Sequence, residues 1–258
     1  MPSESNTRGL SIRAASPPTE PRLGRLQAFH VLSETPCPYL PERQERKLFT
    51  EVIGPRATGI YSELSRGGFR RSHMFAYRPA CTGCQACVPV RVAARAFRCG
   101  KSLRRVSRRN ADLRAIERPP VATQEQFRVF KAYVRDRHGD GEMSRMNYAD
   151  YQAMIEETHL ETGLVEFRDR KDVLRGAILA DWLDDGISAV YSFFDPRQDA
   201  RSLGTYMILS LIDHAVASGR DYVYLGYWIA GSQKMAYKQR FRPLEALSNG
   251  HWRVLDPV

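Results

Sequence analysis

The hydrophobic and polar positions of this chain change their period near residue 160. Before it, the longest apolar repeats are helical: Phe127, Phe130 and Val134 recur within Gln124 to Asp136, and Tyr151, Met154 and Ile155 within Tyr148 to Leu160. Spacing of three and four residues places such side chains on one helix face. After it, Gly163 to Arg168, Val173 to Trp182 and Ile187 to Phe194 are short apolar runs divided by Arg168-Asp169-Arg170 and Asp184-Asp185-Gly186, which predicts an antiparallel meander. A helix is expected next, opening at Ser202-Leu203-Gly204-Thr205 and closing at Gly219, with Leu203, Met207, Leu211 and Ala215 on one face. Asp221 to Ile229 reads as a strand, Ser232 to Phe241 as a helix and His251 to Leu255 as a last strand.

The first part of the chain is less regular. Leu26 to Leu32 is apolar enough for a short strand, Glu42 to Thr50 reads as a charged helix, and Ala57 to Ser65 as a second helix stopped by Gly67-Gly68. Met74 to Arg78 and Val88 to Val92 look like two paired strands flanking a cysteine-rich turn. The expected organisation is a flexible polar tail over 1–25, a smaller Cys-containing N-terminal lobe over 26–120, and a second domain over 121–258. The fold class is α+β.

Composition adds the chemistry. With 43% hydrophobic residues the chain can bury a core, and no run approaches the length of a membrane span. The N-terminal stretch lacks the apolar segment of a secretory signal, so a cytoplasmic location is expected, where disulfides are disfavoured and close cysteines bind metal or do redox work. Cys81, Cys84 and Cys87 form a Cys-x-x-Cys-x-x-Cys run, and Cys37, fixed between Pro36 and Pro38, is the natural fourth thiolate. The spacing leaves an iron–sulfur cluster and zinc both open. Cys99 stands apart.

Net charge is +10, which favours a polyanionic partner. From Arg91 to Arg109 there are eight basic residues and no acidic one. If Ser102 caps a helix there, Arg104 and Arg108, and Arg105 and Arg109, lie one turn apart, and like charges at that spacing point to phosphate contact more than to a solvated face.

The order of elements, a meander followed by a helix that starts at a Gly-containing loop, is that of the Gcn5-related acetyltransferase-like fold. A helix start of this kind offers free N–H groups to an anion or carbonyl. The acetyl-CoA pattern is met by Arg201 and Gly204, but Tyr206 replaces its small residue, so acetyl-CoA is not expected.

Several motifs together carry a resemblance to a family: Cys37-Pro38-Tyr39-Leu40-Pro41, Gly68-Phe69-Arg70-Arg71-Ser72, Tyr77-Arg78-Pro79 with the cysteine run, Tyr191-Ser192-Phe193-Phe194-Asp195-Pro196, Ser202-Leu203-Gly204-Thr205, Tyr224-Leu225-Gly226-Tyr227, and Met235-Ala236-Tyr237-Lys238. From about Cys37 to Phe241 the chain resembles the bacterial leucyl-tRNA:protein transferases, relatives of eukaryotic arginyl-tRNA:protein transferase. The resemblance implies transfer of leucine from leucyl-tRNA to the N-terminal amine of proteins beginning with Asp or Glu, which creates a degradation signal, and it tilts the metal reading toward an iron–sulfur cluster.

Such a reaction holds two substrates, keeps an amine deprotonated and stabilises an oxyanion. The catalytic set is expected to be Asp195, Gly204, Thr205 and Tyr227, with Asp195 either taking a proton from the amine or capping its turn. Arg70, Arg71, Arg78 and Lys238 are the candidate readers of an acidic first residue. Phe193 and Phe194, with Tyr227 and Trp228, are candidates for an apolar leucyl pocket. Arg104, Arg105, Arg108 and Arg109 are candidates for tRNA. Three alternatives stay open: an arginyl-tRNA donor, a CoA-dependent N-acetyltransferase, and a non-enzymatic metal-containing module that binds nucleic acid.

Overall fold

A computed structural model describes residues 27–137, 139 and 141–255. The expected tail over 1–25, the first residue of the strand expected from Leu26, and His138 and Asp140 of the Gly-rich loop lie outside the described residues. The N-terminal part contains β1 (His30–Val31), β2 (Thr35–Pro36), β3 (Gln44–Glu45), β4 (Lys47–Glu51), α1 (Ala57–Arg66), β5 (Arg70–Ser72) and β6 (Phe75–Pro79). Strand β4 is the first departure from expectation. The charged stretch Glu42 to Thr50 is extended rather than helical, because Lys47 to Glu51 pairs antiparallel with Phe75 to Pro79 and supplies the middle of a four-stranded sheet, β1-β4-β6-β5. Thr50 is fully buried there, so tertiary pairing overrides local helix preference.

The chain then enters a second sheet through β7 (Val88–Ala93), followed by α2 (Lys101–Arg109), β8 (Arg114–Arg118), α3 (Gln124–Arg137), α4 (Glu142–Arg145) and α5 (Tyr148–Glu156). Next come β9 (Thr162–Arg168), β10 (Leu174–Trp182), β11 (Gly186–Phe194), a 3-10 turn at Pro196–Arg201, α6 (Leu203–Ala217), β12 (Tyr222–Trp228), α7 (Gln233–Ala236), a 3-10 turn at Tyr237–Arg240, β13 (Leu244–Ser248) and β14 (His251–Val254). The second sheet has eight strands in the order β14-β13-β7-β12-β11-β10-β9-β8. Strands β7 and β8, expected in the N-terminal lobe, belong to this sheet, and β6 and β7 are not paired with each other. The cysteine run is therefore the crossover between the two sheets and not a hairpin turn.

The meander β9-β10-β11 forms as the alternation predicts. Val165, Phe167, Ile178 and Ala180 face one layer with Leu203, Met207, Leu211 and Ala215 of α6 and Leu103 and Val106 of α2. Leu164, Ala177, Leu179 and Phe193 face the opposite layer with Phe130, Val134, Tyr151 and Ile155 of α3 and α5. Burying each large aliphatic or aromatic side chain of this kind contributes about 1.5–3 kcal/mol, so the two helical layers hold the sheet from both faces. A third cluster, Val52, Ala57, Tyr61, Phe69 and Ala76 with Leu183 and Tyr224, joins the small sheet to the large one.

One pair of neighbours in the large sheet is parallel. Strands β11 and β12 run together only where Gly186, Ile187 and Ser188 face Tyr222, Val223 and Tyr224. Beyond Ser188 they separate, and the ladder from β12 to β7 shifts register between Tyr224 and Gly226. A wedge opens between the two strands at the centre of the molecule.

Candidate active site

Arg70 fills that wedge. Its Nη2 donates to the carbonyls of Val190 at 3.1 Å and Ala189 at 3.4 Å, just past the point where β11 parts from β12. Gly226 makes room on the other side. It has φ +72°, and a Cβ there would lie 2.3 Å from Arg70 Nη1, so both its conformation and its missing side chain are required. Gly68 plays the same part at the start of β5, with φ +83° and Pro89 Cγ 2.7 Å from where a Cβ would sit. Among the described residues no carboxylate pairs with Arg70, and the titratable groups that act on it are the phenols of Tyr77, Tyr61, Tyr227 and Tyr39.

Lys238 lies beside it. The residue is 5% exposed, and its Nζ donates to the Tyr227 carbonyl. Burial, with the neighbouring Arg70 adding to it, pushes its ammonium down to about 7. Tyr227 is buried too, and its hydroxyl is shared between the Gly68 and Tyr77 carbonyls at 3.1 Å each. Desolvation raises that phenol. Held between backbone carbonyls, the Tyr227 hydroxyl clamps β12 to the N-terminal strands, and the residue lines the cavity beside the cysteine run and not the one at the start of α6.

Arg71 departs from its expected role. Its Nε and Nη2 each donate at 2.8 Å to the two oxygens of Asp181 on β10, and the two side chains are 1% and 0% exposed. Asp181 also accepts from Thr162 Oγ1 at 2.7 Å. A guanidinium so committed has no face left for a substrate. Arg78 is exposed and stands elsewhere, 5.2 Å over the Phe69 ring at the rim of the cysteine cavity. Of the four candidate acid readers, the fold brings Arg70 and Lys238 together.

The start of α6 forms a separate cavity of about 530 Å³, lined by Tyr133, Arg137, Ser192, Phe194, Asp199, Ser202, Gly204, Thr205, Ile208, Lys234 and Tyr237. Gly204 and Thr205 are here as expected. Ser202 holds a left-handed conformation at the helix start, φ 55°, and its carbonyl accepts from the N–H groups of Thr205 and Tyr206. Phe194 lies under Gly204 and 4.8 Å, centroid to centroid, from Tyr133. Phe193 points the other way, fully buried against Phe130 and Tyr151. Adjacent strand residues face opposite sides, so only one of the two phenylalanines reaches the cavity. Trp228 is buried in the core beneath α6.

Asp195 caps the 3-10 turn that leads into α6. It accepts from the Arg197 N–H at 3.1 Å, from the Arg197 side chain twice at 2.9 Å, and from Arg175 at 3.3 Å. The Arg197 guanidinium, ahead of Arg175, holds its carboxyl below the usual range. A carboxylate tied to two guanidiniums is a poor proton acceptor. Of the two roles expected for Asp195, the geometry supports the turn cap.

Sequence reasoning missed Tyr133, Arg137, Lys234 and Tyr237. Tyr133 and Arg137 lie four apart on α3, a helical repeat that mixes an aromatic with a charge and so reads as surface. Tyr237 is the link between cavity and wedge. It lines the cavity, lies 6.0 Å from Lys238 Nζ by its ring centroid, and its phenol, raised by burial, is influenced by Arg70 and Tyr133.

The basic stretch divides. Arg91 is buried, ion-paired to Glu245 at 2.8 Å and stacked 3.4 Å over Tyr222, and Arg95 pairs with Asp221. On α2 the cations are exposed and, among the described residues, form no ion pair. The helix is capped by Gly100 with no side-chain cap, so Ser102 does not serve. Leu103 and Val106 turn inward, which leaves Lys101, Arg104, Arg105, Arg108 and Arg109 on the outer side. Arg104 donates to the Cys99 carbonyl and Arg109 to the Ala200 carbonyl. Buried Asn110 ties the end of α2 to the cavity loop, donating to the Val106 and Arg201 carbonyls at 2.9 Å and accepting from Arg201 Nε at 3.0 Å. The charged helix is thereby braced against the loop that opens α6.

The cysteine crossover borders another cavity, about 380 Å³, with Cys81, Cys84 and Cys87 among its walls. All five cysteines are free thiols. Cys87 is pushed up to about 11, by burial first and then by Cys37, Cys81 and Cys84 nearby. The Arg46 N–H lies 3.4 Å from Cys81 Sγ. Four neighbouring sulfurs with an amide donor are a suitable donor set for a soft metal or cluster. As folded, however, no three His, Cys, Asp or Glu side chains among the described residues are gathered closely enough to hold an ion, so the thiols are neighbours without a formed coordination sphere.

Comparison with known proteins places this geometry. The family model for the arginine-tRNA-protein transferase N terminus matches residues 35–105, and that for its C terminus residues 125–248. An aspartate/glutamate leucyltransferase of Granulibacter bethesdensis is 52% identical over 90% of this chain and 87% of its own. Another, of Gluconacetobacter diazotrophicus, is 51% identical over 92% of this chain and 91% of its own. The solved structure of L-PGS from Bacillus licheniformis is similar over 72% of this chain and 55% of its own, at 10% identity and a TM-score of 0.45, a likeness too loose to argue from. The two family models span both the cysteine crossover and the α6 cavity, and on identities of about half over nine-tenths of its length the chain belongs to the aspartate/glutamate leucyltransferase family.

Proposed function

We propose that this protein transfers leucine from leucyl-tRNA to the N-terminal amine of proteins that begin with Asp or Glu, in the cytoplasm, marking them for degradation. The observation that carries the reading is the adjacency, through Tyr237, of a nucleoside-sized cavity and an Arg70 guanidinium that no carboxylate among the described residues neutralises. In this reading the leucyl-adenosine end of the tRNA occupies the α6 cavity, with Tyr133 and Phe194 beneath it and the helix start and Lys234 toward its phosphate. The exposed cations of α2 hold the acceptor stem, and the brace through Asn110 and Arg201 keeps that stem in register with the cavity. Arg70 receives the side-chain carboxylate of the acceptor, where a guanidinium is the suited partner.

The chemistry is attack of a neutral amine on an ester. The amine nitrogen bonds to the leucyl carbonyl carbon, the bond from that carbon to the ribose oxygen breaks, and the leaving ribose oxygen takes the one proton that the amine gives up, leaving the amide with the other. Most of the rate then comes from orientation of two bound substrates. The scaffold is proposed as an acetyltransferase-like fold adapted to an aminoacyl ester, with the splay of β11 and β12 occupied by Arg70. The four thiols are proposed to draw together on an iron–sulfur cluster or zinc, which would brace the crossover between the sheets; an absorption spectrum of anaerobically purified protein separates the two, since a cluster absorbs in the visible and zinc does not. Incubation with labelled leucyl-tRNA and a peptide starting with Asp tests the function. Label should appear on that peptide, and its absence from every peptide with tRNA still bound would refute the reading.

A further inference from the structure

Arg70 is not alone in the wedge, and its neighbour has an unusual setting. Lys238 is almost wholly buried, yet the groups that face it include no carboxylate among the described residues. They are Arg70 from β5, the Tyr227 carbonyl from β12, and Tyr237 on its own segment with Tyr133 of α3 beyond. A buried ammonium is ordinarily paired, because an unpaired charge in a low-dielectric site is costly. Here the nearest charge has the same sign. The resting form compatible with this packing is the neutral amine, donating to the Tyr227 carbonyl, and burial does push the ammonium down to about 7.

We propose that Lys238 is the second arm of the acid receptor and takes up a proton from solvent when the acceptor's side-chain carboxylate arrives beside Arg70. The proposal rests on the acidic-acceptor reading above. A carboxylate neutralises the field of Arg70 and supplies the missing counterion, which offsets the cost of charging a buried amine. Without the acceptor, the Arg70–Lys238 pair then carries a single positive charge, and with it a carboxylate stands beside two cations. A neutral Asn or Gln side chain of nearly the same shape supplies no such counterion and leaves Lys238 uncharged. Selectivity is therefore coupled to protonation: binding of the acid strengthens as pH falls toward the free-state value of about 7, and levels off below it.

The test compares kcat/KM for two peptides that differ only in an N-terminal Asp or Asn, from about pH 6.5 to about pH 8.5. Titration of the α-amine is common to both and cancels in the ratio. In the wild type the Asp-to-Asn ratio should fall above about pH 7, by at most tenfold per pH unit, since one proton is involved. Lys238→Met should lower the ratio and remove its pH dependence, whereas Lys238→Arg, always charged, should keep a high ratio with no pH dependence. Calorimetric titration of the wild-type protein in buffers of different ionisation enthalpy, which needs no variant to fold, should show more protons taken up with the Asp peptide than with the Asn peptide at about pH 8. A flat wild-type ratio with equal proton uptake would overturn the proposal. So would Lys238→Arg being as defective as Lys238→Met. Failure of the functional reading looks different: the wild type would then label neither peptide at any pH.

Discussion

Arg71 and Asp181 allow the sharpest separation of scaffold from site. The sequence places Arg71 next to Arg70 as an equal candidate for reading an acidic acceptor, whereas the structure ties it to Asp181 by two 2.8 Å bonds at 1% and 0% exposure. Replacing Arg71 with Ala leaves Asp181 buried with only the Thr162 hydroxyl as side-chain donor. Breaking one side of a buried pair costs about 3–5 kcal/mol, a large part of the ~5–15 kcal/mol that a domain has. At roughly 2–4 °C per kcal/mol for a chain of this size, the melting temperature should fall by about 6–20 °C. Circular dichroism on heating measures the fall. Peptide transfer assayed well below the melt should keep its preference for Asp over Asn. A double variant, Arg71→Met with Asp181→Leu, removes both charges and should recover most of the stability, because apolar replacement of a whole buried pair is near neutral. An unchanged melting temperature with lost discrimination would refute this reasoning and return Arg71 to the site.

Gly226→Ala should displace Arg70 and destabilise by about 1–3 kcal/mol, since the new Cβ meets the guanidinium at a positive φ; normal acid preference in this variant would argue against the wedge. Arg105→Glu combined with Arg108→Glu should weaken leucyl-tRNA binding and lower the slope of log K against log salt by about 0.9 for each phosphate no longer neutralised, read by filter binding over a salt series. Asp195→Asn should change transfer by less than about tenfold near neutral pH, against ~100–10,000-fold for loss of a general base, while keeping an amide oxygen to cap the turn and removing the carboxylate charge that Arg197 and Arg175 face. Because the Asp195 carboxyl is held below its ordinary value, its stabilisation is present above about pH 4 and lost as pH falls through the folded-state value. The melting temperatures of wild type and variant should therefore converge in acid.

The elements legible in the sequence are those whose own run of residues carries the apolar period of their packing. The meander strands and α6 follow from apolar period alone, because each lies between two defined faces. The misread ones are those whose neighbours are distant in the chain. Lys47 to Glu51 has the charge pattern of a surface helix but pairs with a strand about 28 residues later. Val88 to Ala93 adjoins the cysteine run in sequence, yet pairs with β12 and β13, more than 120 residues away. Leu244 to Ser248 carries no strand signal of its own, since only β7 and β14 give it partners. The same limit applies to the site: Gly204 and Thr205 sit at a helix start that the sequence announces, whereas Tyr133, Arg137 and Tyr237 reach the cavity from separate elements.

What the sequence by itself determined is the supply of chemistry: a run of three cysteines, arginines in adjacent pairs, a helix opening on glycine, and an unneutralised basic stretch. These are local facts, set by residue type and spacing. What only the tertiary structure decided is which of several like residues is free to act. Arg70 and Arg71 are adjacent in sequence and alternate in direction along one strand, so one meets Asp181 and the other enters the wedge. Phe193 and Phe194 divide in the same way between core and cavity. The physical reason is that availability depends on counterions and on space, and both are supplied by other elements of the fold, which lie more than a hundred residues away for Arg70 and Arg71.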